Sequence, residues 1–454
     1  MRRLISLNLC KRIIPKTAQN AFWLSFCLCF LGCLFIIFVI APLTGISKHF
    51  GKANDGYIQI AENLGQGNGY VFEEGGPQVF HRPPLYPSLL VPITFLPHSL
   101  QRPVLVLMQS VMAGCIGCLI FQIAKRLFNL STAGIAVVIF LLNPWLYWNA
   151  KNPMTPITQG LLYTLLVVLV GSEFLTMLSR YNAPTSKMKL WFKRLAIGIV
   201  AAALALTHGT MLAVDIALLF ALFTVGIVRR NYQAIKTSII AVVITATLIA
   251  PWTYRNWAEF HRFIPIAGGG GLGYFIGNVH WANIMENPQR KNETYIDAGL
   301  RVAGIEGTEA THTHWKGLKD IKLEDKINKK MIEHLRAHPG AFTKKVVLNA
   351  IEYYFPMLTY PYLAVKGFSP ENLAITIFNS TLWALTLIGI LRSKKEEMSL
   401  LPAGLVLAAI VLYAIWYFPF VTFIGHSLYT FGTIPLLSIL AAKGLAAKQV
   451  EAPY

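Results

Sequence analysis

Three short stretches carry side chains whose types and spacing suit a reaction at a water-lipid boundary. Asp55 stands in Lys52-Ala53-Asn54-Asp55-Gly56-Tyr57, and Arg82 opens Arg82-Pro83-Pro84-Leu85-Tyr86-Pro87. Arg255 and Asn256 end Pro251-Trp252-Thr253-Tyr254-Arg255-Asn256. A carboxylate such as Asp55 can take the proton from an attacking hydroxyl, a role worth roughly 100- to 10,000-fold in rate. The prolines after Arg82 stiffen the backbone that presents its guanidinium, and a planar fork of N–H donors matches a phosphate. Each residue also has a plainer reading. Asp55 could cap a short helix running from Tyr57 to Ala61, Arg82 could anchor a turn to lipid headgroups, and Arg255 could snorkel.

These groups need elements to hold them, and composition says which. Of 454 residues, 55% are hydrophobic and 13% charged, so the membrane is the expected solvent. Backbone polar groups find no water in hydrocarbon, so apolar stretches of about 20 residues must be helices. Such stretches lie near residues 22–45, 103–124, 132–150, 157–178, 192–208, 210–228, 237–254, 371–391, 399–420 and 427–446. The expected fold is all-α integral membrane with about ten transmembrane helices. The fifth and sixth form a hairpin around Thr207-His208-Gly209-Thr210.

Basic residues of short loops stay on the cytoplasmic side. They crowd the N-terminal segment 1–21, Lys125/Arg126, the loop from Arg180 to Arg194, Arg229/Arg230/Lys236, Arg392/Lys394/Lys395 and the tail Lys443/Lys448. The opposite short loops hold Lys48, Lys52, Arg82, Arg102 and Lys151. Both termini are thus predicted cytoplasmic, and the first span reads as an uncleaved anchor because its apolar run is too long for a signal peptide. A net charge of +19 scattered over several loops excludes nucleic acid as a partner. The cysteines (Cys10, Cys27, Cys29, Cys33, Cys115, Cys118) lie at the cytoplasmic end or inside spans, so no disulfide framework is implied, and Cys115-x-x-Cys118 reads as two small side chains facing a neighbouring helix.

Residues 46–102 and 255–370 form the two long extracytoplasmic loop regions, where function is expected. In the second, Leu323, Ile327, Met331 and Leu335 recur every four residues until Pro339-Gly340, which predicts a surface helix. Residues 341–355 are expected to lie along the membrane interface. Gly268-Gly269-Gly270-Gly271-Leu272-Gly273 lacks the strand of a dinucleotide loop and reads as a flexible cover. His312-Thr313-His314 is too small a set to make a metal motif. Inside the spans, Glu173 is expected to snorkel. Asp215 is costly unless partnered, either by His208, less than two turns away, or by a neighbouring helix.

The ordered set of Asp-x-Tyr, Arg-Pro-Pro-Leu-Tyr-Pro and Pro-Trp-x-x-Arg-Asn resembles the GT-C membrane glycosyltransferases of the protein O-mannosyltransferase and aminoarabinose-transferase type. Phe263-Ile264-Pro265-Ile266, the run to Gly277-Asn278, Ile434-Pro435-Leu436-Leu437 and Ala441-Ala442-Lys443-Gly444 also fit. The similarity runs from about Asp55 to the C-terminus, so residues 22–454 read as one GT-C-like transmembrane domain. The resemblance implies inverting transfer of a monosaccharide from a polyprenyl-phosphate donor to a glycan, lipid or protein acceptor. Its place would be the periplasmic or extracellular side of a bacterial plasma (inner) membrane. It further implies Asp55 as catalytic base, Arg82 as the holder of the lipid phosphate and Arg255 as a second phosphate ligand, with Tyr86, Asn256, His208 and Asp215 completing the substrate site. The sequence departs from the pattern at Gly56, where many members carry a second acid, at Met154 to Gln159, which lacks an acid, and at His208, where arginine is expected. The alternatives are a transporter or flippase, with Asp215, Glu173 and His208 lining its path, and a non-catalytic family member.

Overall fold

The computed structural model describes residues 16–44, 56–178, 186–270, 321–340, 343, 347, 370–393, 402–417 and 431–446. Among them every long element is a helix, and strand pairing is confined to one antiparallel bridge, Val71 to Gln78.

The first span is α1 (Lys16–Phe35), which continues through a π-helical turn (Ile36–Ile40) to Ala41–Thr44. Two short helices follow, α2 (Tyr57–Gln66) and α3 (Leu85–Thr94), and then α4 (His98–Leu127). The stretch predicted as one span over 132–150 is two helices, α5 (Leu130–Leu141) and α6 (Pro144–Lys151), bent by 56°. Asn143 causes the break. Its side chain caps the Trp145 N–H, and Pro144 takes the first helical position, where a missing N–H costs nothing. Next come α7 (Pro156–Leu178), α8 (Lys187–Thr207), α9 (Met211–Val228) and α10 (Tyr232–Phe260). Asn231 caps α10 through the Ala234 N–H. The amphipathic α11 (Ile321–Ala337) matches the four-residue periodicity and buries Leu323 and Ile327. Helices α12 (Pro370–Arg392), α13 (Pro402–Tyr417) and α14 (Ile434–Leu445) complete the described chain.

Six of these helices are long and apolar enough to cross a membrane, or seven if the bent pair is one span. Helices also stand where the last three of the ten expected spans fall, with shorter apolar lengths among the described residues. The core is continuous from Cys29 and Cys33 through Ile116, Phe140, Tyr163, Leu204 and Leu222 to Leu436 and Leu440. Leu24, Leu31, Ile216, Phe220 and Val243 point outward. This inside-out apolarity is what a helix bundle in lipid requires. Several polar groups inside the bundle are partnered locally. Glu173, expected to snorkel, is buried and ion-paired with Lys193. Arg194 beside it donates to Thr237 and Gln233 of α10. Cys118 packs on α1 with its thiol on the Phe22 carbonyl.

Helices α12 and α14 cross where no side chain intervenes. A Cβ on Gly389 would fall on the carbonyl oxygen of Leu440, and one on Gly444 on that of Leu385. Lipid supplies no hydrophobic drive between helices, so such backbone approach is a main source of their attraction. Gly389→Val and Gly444→Val should each destabilise the protein by about 1–3 kcal/mol, the usual cost of overpacking. The reading is a lowered melting temperature in detergent, with Gly134→Ala, where nothing lies within 4 Å, unchanged. Equal melting of all three would remove the close crossing.

Candidate functional site

The site is built where the first long loop, the α8–α9 hairpin and the strap after α10 meet. The loop begins at Gly56, whose φ of 84° is left-handed and which supplies the N-terminal cap position of α2. A side chain there would also run into the Phe72 ring. A second acid cannot stand at this position without strain, so the departure at Gly56 has a steric cause. Asp55 itself lies outside the described residues.

From α2 the loop turns through the Val71 to Gln78 bridge. Tyr57 and Tyr86 pack edge to face, 5.2 Å apart, and the Tyr70 hydroxyl donates to the carbonyls of Arg82 (3.2 Å) and Pro83 (2.8 Å). Arg82 is thereby held by its backbone as well as by its prolines. Its guanidinium is 8% exposed and sits 5.2 Å from the Tyr57 ring centre, a cation-aromatic contact strengthened by the loss of water. Tyr86 is fully buried in the α2–α3–α4 cluster with Leu90 and Leu105, so it shapes the pocket wall through its ring. Burial and the neighbouring Tyr57 push its hydroxyl pKa well up.

Two histidines flank Arg82. His81 lies between the rings of Phe72 and Phe80, each 5.5 Å away. His208 ends α8, and its Nδ1 meets the Thr210 hydroxyl at 2.8 Å. Burial, then the Arg82 charge, hold both imidazoles neutral, His208 down to about 4. Among the described residues, this cluster thus sets one fixed positive charge beside neutral imidazoles, a setting for an anion with little competing water.

The motif Pro-Trp-x-x-Arg-Asn has a different geometry from the one its arginine suggested. The Arg255 guanidinium donates to the Val79 carbonyl (3.0 Å) and to the side chains of Gln78 and Asn256. It is also boxed by Trp252, Tyr70 and Phe260. Asn256, 0% exposed, donates to the carbonyls of Ile264 and Ile266. Trp252 and Thr253 hold those of Ile266 and Pro265. These residues grip two loops. In this structure the Arg255 guanidinium is engaged by one carbonyl and two side chains, and the Asn256 amide by two carbonyls. The glycine run is pinned as far as it is described: Gly268 N–H donates to Phe80 O and Gly269 N–H to Glu324 of α11, both at 2.9 Å.

No protein-family model and no curated protein sequence matches this chain. Its structure does have likenesses. The apo oligosaccharyltransferase of Archaeoglobus fulgidus superposes with a TM-score of 0.51 at 12% identity, over 93% of this chain and 50% of that one. The fold is GT-C. The AglB oligosaccharyltransferase of the same organism, in complex with an inhibitory peptide and a dolichol-phosphate, gives 0.46 at 12% identity over 85% and 45%. ArnT from Cupriavidus metallidurans bound to undecaprenyl phosphate gives 0.37 at 15% over 94% and 76%. The chain spans about half the length of the oligosaccharyltransferases it matches.

Arg82, Tyr86 and His208 share one buried neighbourhood: Arg82 lies over the Tyr57 ring, Tyr86 packs edge to face on that ring, and the Arg82 charge acts on His208. Asp215 does not join them. It has no hydrogen-bond partner and lines a lateral groove between α9 and α10. The expected pairing with His208 is absent because the imidazole turns to Thr210, and among the described residues no neighbouring helix supplies the alternative bond. Sequence reading also missed His81 and Lys151. Lys151 ends α6, is 8% exposed and lies within electrostatic reach of Arg102. The signal for both was a polar residue inside a proline- or aromatic-rich stretch, legible only once burial is known. The pair His312 and His314 and the stretch 341–355 lie largely or wholly outside the described residues.

Two tests follow from this geometry. Arg255→Met should release the first loop, costing about 1.5–3 kcal/mol for charge-assisted hydrogen bonds, with faster proteolysis between Tyr70 and Arg82. The exposed neighbour variant Tyr254→Ala should leave the cleavage rate as it was. For His208 the lowered pKa means that the unfolded chain binds the extra proton between about pH 6.5 and pH 4. Its contribution to stability is therefore complete above the unfolded value and lost as pH falls to the folded one. Melting temperature should drop across that window in the parent and drop less in His208→Gln; parallel slopes would refute the burial.

Proposed function

We propose that this protein transfers a monosaccharide from a polyprenyl-phosphate carrier to a glycan, lipid or protein acceptor on the periplasmic or extracellular face of a bacterial plasma membrane. The observation that carries the reading is Arg82: a guanidinium stripped of water, locked by Tyr70 and two prolines, with neutral His81 and His208 beside it, in a GT-C bundle. Such a cation holds the donor phosphate in the ground state and stabilises the charge that grows on it as the sugar departs. Asp55, immediately before the Gly56 turn, takes the role of base. It receives the acceptor's hydroxyl proton as the acceptor oxygen bonds to the anomeric carbon. The carbon-oxygen bond to the phosphate breaks, its electron pair stays with the phosphate, and the anomeric centre inverts. Lys151 is a second cation near the same first loop. Membrane embedding is shown coarsely by the six or seven spans; ten spans with both termini cytoplasmic fit the distribution of basic residues.

The transport alternative receives less support from the contacts. Glu173 is engaged by Lys193 and His208 by Thr210, while Asp215 faces a groove at the side of the bundle, so the three acquire separate environments.

The test is transfer of label from radiolabelled polyprenyl-phosphate sugars in reconstituted membranes. Asp55→Asn should lower turnover by roughly 100- to 10,000-fold, the span of a lost general base. Arg82→Lys keeps the charge but loses the fork, and it should mainly raise the KM for the donor, with melting temperature checked in parallel. Unchanged transfer in Asp55→Asn would overturn the assignment. Carrier-linked sugar crossing sealed vesicles without release from its carrier would establish the transport reading instead.

A further inference from the structure

Between α9 and α10 runs an apolar groove of about 560 Å³, within the size range of small-molecule sites. Leu212, Ile216, Val242 and Ile249 form its walls, and Tyr254 and Trp257 stand toward its upper end near the strap. Ile216, Val242 and Trp257 are about half exposed, so the groove opens sideways, toward lipid. At its floor lies Asp215, 1% exposed, with neither carboxyl oxygen hydrogen-bonded. A buried carboxyl without a partner costs several kcal/mol in apolar surroundings, and nothing among the described residues repays it. Tyr163 is within electrostatic reach, yet its hydroxyl donates to the Ala409 carbonyl at 2.6 Å.

We propose that this groove is a binding site for a lipid chain that bears a hydroxyl group, which Asp215 receives. The polar surface of the groove decides the class of ligand. Thr245 already donates to Gly198 and Ala241 carbonyls, and Thr253 to Ile249 and Pro265 carbonyls. A ligand amide at that depth would bring a second polar group to be desolvated where Thr245 is already engaged. An ammonium would carry a second full charge into an apolar groove, at a large desolvation cost. A plain hydrocarbon chain fills the walls but leaves Asp215 as it is. A single hydroxyl on an otherwise apolar chain matches both. Depth places that hydroxyl near the head of the chain. Asp215 is four residues into α9, about 6 Å along the axis from Met211 at 1.5 Å per residue, and aromatic side chains of the kind that mark membrane interfaces lie above it. A hydroxyl on the β-carbon of an acyl chain sits just below its carbonyl and so at about this level. The site does not depend on the glycosyl-transfer reading, since it shares no residue with the Arg82 pocket.

The experiment is equilibrium binding to the full-length protein in detergent micelles, using radiolabelled methyl β-hydroxymyristate displaced either by itself or by methyl myristate. The hydroxylated ester should bind about tenfold more tightly, the worth of one hydrogen bond to a buried carboxyl. Asp215→Leu should abolish that preference, and Ala246→Trp, which fills the exposed groove wall, should weaken both esters while preserving the melting temperature. No binding, no preference in the parent protein, or a preference that survives Asp215→Leu would each overturn the proposal. Transfer activity measured on the same variants reports separately on the Arg82 site.

Discussion

A little over one turn of α10 holds the functional end of the molecule together. Trp252, Thr253, Arg255 and Asn256 each donate to a main-chain carbonyl outside the helix: the first two and the last to the strap at residues 264–266, Arg255 to the first loop at Val79. These loops lie where water is scarce and carry no ladder of their own, so their backbone groups need partners from elsewhere. Side chains on a rigid helix provide them. The strap then presses on Phe80 through Gly268, and Phe80 adjoins the histidine and arginine of the pocket.

With the loops fixed, the pocket's electrostatics follow. Arg82 keeps its charge at any ordinary pH, and the cost of burying it is moderated by the Tyr57 face. The same burial that would penalise further cations keeps His81 and His208 neutral, so among the described residues of this cluster Arg82 carries the charge. An anion entering meets a single guanidinium and imidazole donors rather than a diffuse basic surface. That arrangement suits a phosphate delivered within a membrane, where counterions and water are few.

The two glycine features act on different scales. At Gly389 and Gly444 the missing side chains let α12 and α14 touch backbone to backbone, which binds the C-terminal helices to the bundle. At Gly56 the missing side chain lets the chain enter α2 with left-handed geometry beneath Phe72. A side chain at that turn would be strained, so the chain makes its entry to α2 with glycine.

The sequence by itself determined that the chain is helical and membrane-embedded, because runs of apolar residues allow no other way to satisfy the backbone. It determined α11 through its four-residue period and marked Arg82 through its prolines. Only the tertiary structure decided what the polar residues do. Arg255 was legible only as an exposed-looking arginine, and its contact with a carbonyl 176 positions away in the chain, which makes it a brace of the first loop, was not. Asp215 and His208 are close along the sequence yet turn to different surroundings, and Glu173 meets Lys193 on the next helix instead of water. The break at Asn143-Pro144 changes hydropathy too little to be seen in a window of apolar residues. Hydropathy and spacing are properties of a segment; hydrogen-bond partners and burial are properties of pairs of segments, and these exist only once the helices have packed.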